Sequence, residues 1–283
     1  MTGKAPAASI SIWLLAGIVL ASVIAVIAYG PIPQWENYHS FADQRRISGI
    51  PNFWNVASNL PFAMVGLAGL FTVRGGPTPG ILPALRPAYL AFFLGTALVA
   101  VGSGYYHLAP SDASLVWDRL PMTIAFMAFL AILVGEQIGA GIGARLLLPL
   151  VAAGLLSVAY WVVTAQYGAG DLRPYVLVQF LPMILTPLLL LFPSPFTRPW
   201  LLWGLVVAYV LAKLFEYFDA PIFNLAHAVS GHSLKHIAAA LGTYFVLLAA
   251  TRRAVRSADA RAPEPSTRTW RFQGRSRRVH CGT

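Results

Sequence analysis

Long apolar runs with few charges alternate with short polar breaks along most of the chain. The first spans residues 10–30 and ends at Gly30-Pro-Ile-Pro33; seven more cover about residues 53–73, 87–107, 119–135, 146–164, 174–192, 199–217 and 233–251. Each is near the ~20 residues that a helix needs to cross the hydrocarbon core of a bilayer. The pattern predicts an all-α fold, a polytopic transmembrane helical bundle. The first run, behind Lys4, is too long for the apolar core of a typical signal peptide and shows no small-residue cleavage site. It reads as a signal anchor, with a cleaved signal as the alternative. Between it and the second run lies a polar stretch with Glu36, His39, Asp43, Arg45 and Arg46.

Composition sharpens this picture. Hydrophobic residues are 57% of the 283, charged residues 11%, and mean hydropathy is +0.66, which excludes a water-soluble domain with an ordinary polar surface. The net charge of +10 is concentrated after the last run, where residues 252–283 hold nine Arg against Asp259 and Glu264. Such a segment reads as a disordered, topogenic tail with a headgroup contact, and no nucleic-acid partner is expected. Lys4, Arg74, Arg86, Arg145, Arg198 and the tail arginines fall on one side of the predicted spans; Arg45, Arg46, Arg119 and Arg173 fall on the other. The positive-inside rule makes the first side cytoplasmic, with both termini there. The single cysteine, Cys281, has no partner for an internal disulfide.

The candidate chemistry centres on His232-Ser-Leu-Lys-His236, which opens the last run. Residues four apart share a helix face, so both imidazoles reach one point. An isolated pair also fits two rings hydrogen-bonded to neighbouring helices. Ionisable residues inside a membrane, however, are functional candidates by default. A second i, i+4 pair, Ser103 and His107, closes the third span; a loop of about ten residues follows, and the fourth span opens at Trp117-Asp118-Arg119. So short a loop makes the two helices antiparallel neighbours and brings His107 and Asp118 to one end of the bundle. The expected topology places His232 and His236 at that end too, on the non-cytoplasmic face. Three histidines with a nearby carboxylate and hydroxyl match an open zinc site, in which a fourth position is left for water. Local alternatives stand beside these roles. Asp118 could pair with Arg119 or cap its helix, and Ser103 could ease packing beside Gly102 and Gly104. Lys213 and Glu216 are spaced to pair with each other, and Lys235 faces away from the histidines, outward or toward an acidic neighbour.

The spaced set Ser103, His107, Asp118 and His232-x-x-x-His236 resembles the signature of the alkaline ceramidases and of the wider superfamily of intramembrane hydrolases that includes the adiponectin receptors. Phe53-Trp-Asn-Val-Ala-Ser-Asn59 is similar to the opening of the first core helix in the ceramidase branch, and the likeness spans roughly residues 35–251. The resemblance implies a seven-helix core over residues 53–251, preceded by the extra helix and polar loop of residues 1–52 and followed by the tail. It implies Zn²⁺ on His107, His232 and His236, with Ser103 and Asp118 as catalytic groups acting on the amide of a ceramide-like lipid drawn from the bilayer. A calcium site in that family uses acids just before the Phe-Trp-Asn stretch. Here Asn52 stands where a carboxylate is expected and Asp43 is the nearest acid, with Glu36 farther off, so calcium is doubtful. The alternative function is a receptor-like or structural protein retaining zinc for stability. Haem ranks last, because two rings aimed at one spot do not make opposed axial ligands.

Overall fold

The structure is a computed structural model that describes residues 6–168 and 170–256, with side chains from Trp13 onward; the expected tail lies largely outside the described residues. The chain is helical throughout its spans: α1 (Pro6–Tyr29), α2 (Phe53–Ala57), α3 (Leu60–Arg74), α4 (Arg86–Leu108), α5 (Asp112–Gln137), α6 (Ala140–Gln166), α7 (Arg173–Leu190), α8 (Leu201–Tyr217), α9 (Asp219–Ala226) and α10 (Gly231–Arg252). Six segments of the described residues are long and apolar enough to cross a membrane: α2 with α3, then α4, α5, α6, α7 and α10. The α8–α9 pair, bent by 76°, makes a seventh if it is one span. Helix α1 is the apolar run expected at residues 10–30.

Local signals explain where these helices begin. Prolines occupy the first turn of α3, α4 and α7, where a missing N–H breaks no helical bond. Helix α5 starts earlier than the apolar pattern suggests. Ser111 and Ser114 form a reciprocal capping box, so helix begins at Asp112 and only three residues, Ala109–Ser111, separate α4 from α5. The expected ten-residue loop is thus corrected to a tight turn, because polar residues extend the helix beyond its apolar stretch. Helix α9 was also not expected; Phe218 ends α8, and Asp219 with Pro221 starts a new helix across the end of the bundle.

The helices that pack most extensively are α4 with α5, α8 with α10, α5 with α6, and α3 with α4. Phe92, Phe93, Phe129, Leu133 and Val246 lie in the main core. Two glycines set the approach of the helices that carry the site. A Cβ on Gly102 would collide with the Trp117 carbonyl oxygen, and one on Gly231 would collide with the Phe215 carbonyl oxygen. Without them α4 could not lie so close to α5, nor α10 to the α8–α9 bend.

The bundle end remote from His107 holds a second polar cluster. Arg253 donates through Nη1 to Glu136 Oε2 (3.0 Å) and through Nη2 to Glu136 Oε1 (2.8 Å). Its Nη2 also reaches Tyr89 OH (3.0 Å) and the Gly80 carbonyl (3.3 Å), while Nε donates to the Ala249 carbonyl (3.1 Å). Tyr89 OH donates to Glu136 Oε1 at 2.6 Å. Arg253, expected to belong to a solvated tail, is instead fully buried just past α10. A carboxylate within the bundle, Glu136, needs a cation, and this arginine is the one the chain brings there.

Candidate metal centre

His107 lies in the last turn of α4 and His232 and His236 in the first turns of α10, all three buried. Nitrogens of the three rings lie within 4.8 Å of one another, the one group of three or more His, Cys, Asp or Glu so arranged among the described residues. The ring centroids are 5.0 Å apart for His107 with each partner and 4.8 Å for His232 with His236. His107 Nε2 and His232 Nε2 are 3.4 Å apart. Two nitrogens each about 2.0–2.1 Å from one ion in a tetrahedral site lie about 3.3–3.4 Å apart, so the His107–His232 pair already has the spacing of two ligands on one tetrahedral metal. Nδ1 of His107 has no hydrogen-bond partner among the described residues. Neither ring nitrogen is therefore committed to a strong protein partner.

The surrounding groups hold these rings in place. Ser58 Oγ lies 2.8 Å from His236 Nδ1, which aims the other nitrogen at the cluster. Asn52 Nδ2 donates to the His107 carbonyl (2.9 Å). Asn55 is fully buried, donating to the Asp43 carbonyl (3.0 Å) and accepting from Ser233 Oγ (2.8 Å). Asp219 joins three segments: Oδ1 accepts from His232 N (2.7 Å) and Oδ2 from Ala42 N (3.0 Å). The Phe41 ring packs against His107 (4.7 Å) and His232 (4.4 Å), covering the cluster from the polar loop.

A cavity of about 1110 Å³, counting its part open to solvent, adjoins His236 and runs between α3, α4, α5, α7, α8 and α10. Ser103 and Asp118 line it together with His236. Farther in, the walls are apolar, with Phe62, Phe92, Phe129 and Met183. Asp118 neither caps α5, which begins at Asp112, nor pairs with Arg119. That guanidinium bonds Gln34 (2.6 Å) and packs on Trp161 and Tyr175 instead. Lys235 and Lys213 both bond Glu216, at 2.9 and 2.7 Å, on the cavity wall.

Asp43 stands apart from the three-histidine group. Both of its oxygens are taken by Arg45, at 2.8 Å from Nε and 2.7 Å from Nη2. Burial opposes the Asp43 charge, but these bonds and the guanidinium charge outweigh it and hold the carboxyl below its ordinary range. Asn52, which stands where a carboxylate was expected, is turned to the His107 carbonyl instead. Two supporting residues, Asn55 and Ser58, fall in the Phe53–Asn59 stretch, whose individual side chains the sequence motif left unassigned. Asp219 was missed because its helix carries no long apolar run.

Among known proteins, the family model described as Ceramidase matches residues 45–192, just over half of the chain. No curated protein matches. The matched region contains Ser103, His107 and Asp118 and stops short of α10. His232 and His236 come to it through the fold.

Proposed function

The chain belongs to the ceramidase family, and from that premise we propose that it is a zinc-dependent intramembrane amidase. Its substrate would be a ceramide-like N-acyl lipid, split to a fatty acid and an amine such as a sphingoid base. The observation that carries this reading is the convergence of three buried imidazoles beside Ser103 and Asp118 at the end of an apolar cavity. Along α4 the cavity wall runs from Ser103 to Phe92, about 16 Å of helix, enough to take a long acyl chain.

His107, His232 and His236 would hold Zn²⁺, which when bound supplies Lewis acidity and lowers the pKa of a water to about 7. Asp118 takes the proton from the attacking water and delivers it to the nitrogen as the C–N bond breaks. The Ser103 hydroxyl donates to the carbonyl oxygen as that oxygen gains negative charge. Phe41, Asn52 and Ser58 act earlier, by keeping the rings in place and bulk water away. A receptor-like protein using zinc as a brace would have no need of an open cavity with a carboxylate and a hydroxyl beside the ligands.

Purified protein incubated with a panel of N-acyl lipids should release fatty acid, lose that activity to a chelator and regain it with Zn²⁺. Failure of the zinc-loaded protein to hydrolyse any N-acyl lipid would favour the receptor-like reading. The same proposal places both termini in the cytoplasm and the site toward the opposite face. The contact between His39 and Asp112 joins the two loops expected there. Labelling of engineered cysteines at Asp112 and in the tail from the same side would refute that orientation.

A further inference from the structure

Asn59 is a polar group that the proposed reaction has not used. It is 1% exposed, lies just after α2 and lines the cavity with Ser103, Asp118 and His236. Its Nδ2 donates to the Asn55 carbonyl at 2.7 Å and approaches the Val56 carbonyl at 3.5 Å. That pair of carbonyls fixes the amide, since the reverse orientation would set oxygen against oxygen. Oδ1 is therefore held away from its own helix, and it is buried with no partner among the described residues.

A buried acceptor without a donor is costly, and in a cavity that holds a ligand the natural donor is the ligand. The next residue back, Ser58, contacts His236, so Asn59 belongs to the reacting end of the cavity rather than its apolar depth. The donor common to all N-acyl lipids is the amide N–H; the corresponding ester has none and would present lone pairs there instead. Resting on the amidase reading above, we propose that Asn59 Oδ1 accepts a hydrogen bond from the scissile amide N–H and makes this site select amides over esters. The bond persists as the nitrogen becomes more basic and departs, so the residue contributes to turnover as well as to binding.

The test uses full-length, zinc-loaded protein carrying Asp118→Asn, so that binding is read while turnover is slow, and two probes of matched chain length: a long-chain N-acyl amino alcohol and its O-acyl ester. Asn59→Ser is the informative variant, because a serine hydroxyl can still bond the carbonyl four residues back while withdrawing the acceptor from the cavity. The amide should bind about 10- to 100-fold more tightly than the ester, and Asn59→Ser should bring the two within about threefold at unchanged zinc content. Equal affinities in the Asp118→Asn background, or a preference that survives Asn59→Ser, would overturn the proposal. An amide preference without hydrolysis by protein that retains Asp118 would instead count against the amidase reading and leave Asn59 as a binding determinant. Should Asn59→Ser not fold, Asn59→Ala, which also removes the acceptor, is read in its place with the same two outcomes.

Discussion

The two ends of the bundle each bury a polar cluster, and they differ in whether the cluster is complete. At the Arg253 end, Nε, Nη1 and Nη2 of the arginine, both Glu136 oxygens and the Tyr89 hydroxyl are all engaged. At the histidine end, His107 Nδ1 and Asn59 Oδ1 lack partners and a cavity opens beside His236. Tyr89 and His107 sit on the same helix, 18 residues or about 27 Å apart, so one continuous element joins the two clusters. A saturated network braces helices against each other. An unsaturated one beside open space is where a ligand is expected, because desolvated groups gain only when something fills them.

Substitutions at the two ends should therefore fail in different ways. The largest effect is expected at Asp118→Asn, which keeps the shape but removes the base: turnover should fall by about 10²–10⁴ while zinc content and melting stay near wild type. Kinetics on folded, metal-loaded protein checks this, and full activity would remove Asp118 from the mechanism. Arg253→Ala should do the reverse. Stripping Glu136 of its partner should destabilise the bundle by about 3–5 kcal/mol, with the rate per folded molecule little changed. Denaturation in detergent reads it, and a second change, Glu136→Leu, should recover much of the loss by removing the stranded charge.

The smallest effect is expected in the loop over the site. The Asp43 carboxyl, lowered from an ordinary value of 3.8, contributes stability that is full above that value and is lost as pH falls through the depressed one. Asp43→Asn should cost about 1–3 kcal/mol at neutral pH, because a buried carboxylate loses its charge-assisted bonds to Arg45, and should flatten the acid limb of the stability curve. A wild-type acid limb in that variant would assign the titration elsewhere.

How much of this was legible in the sequence depends on range. The apolar runs located the spans, since about 20 predominantly apolar residues leave few alternatives. His107, His232 and His236 were legible as a set because helical spacing and short connections fix depth in the bundle. The supporting contacts were not. Asn55 with Ser233, and Ser58 with His236, join residues 178 apart, and no local pattern announces such a pair. Arg253 was misassigned for a related reason: among nine nearby arginines, only the fold distinguishes the one that meets Glu136. The start of α5 was misplaced because hydropathy marks the membrane-facing stretch, whereas the Ser111 cap marks the helix.

The claim on which the account depends is that the histidine end is completed by a metal ion. Elemental analysis of purified wild type, His107→Ala, His232→Ala and His236→Ala tests it most directly, with Arg253→Ala as a control for general damage. One Zn per chain is expected in the wild type and in the folded fraction of the Arg253 variant, and little in each histidine variant, because a site that binds through three ligands is sharply weakened by losing one. Wild-type zinc content in the histidine variants, or no bound metal in active wild-type protein, would contradict it.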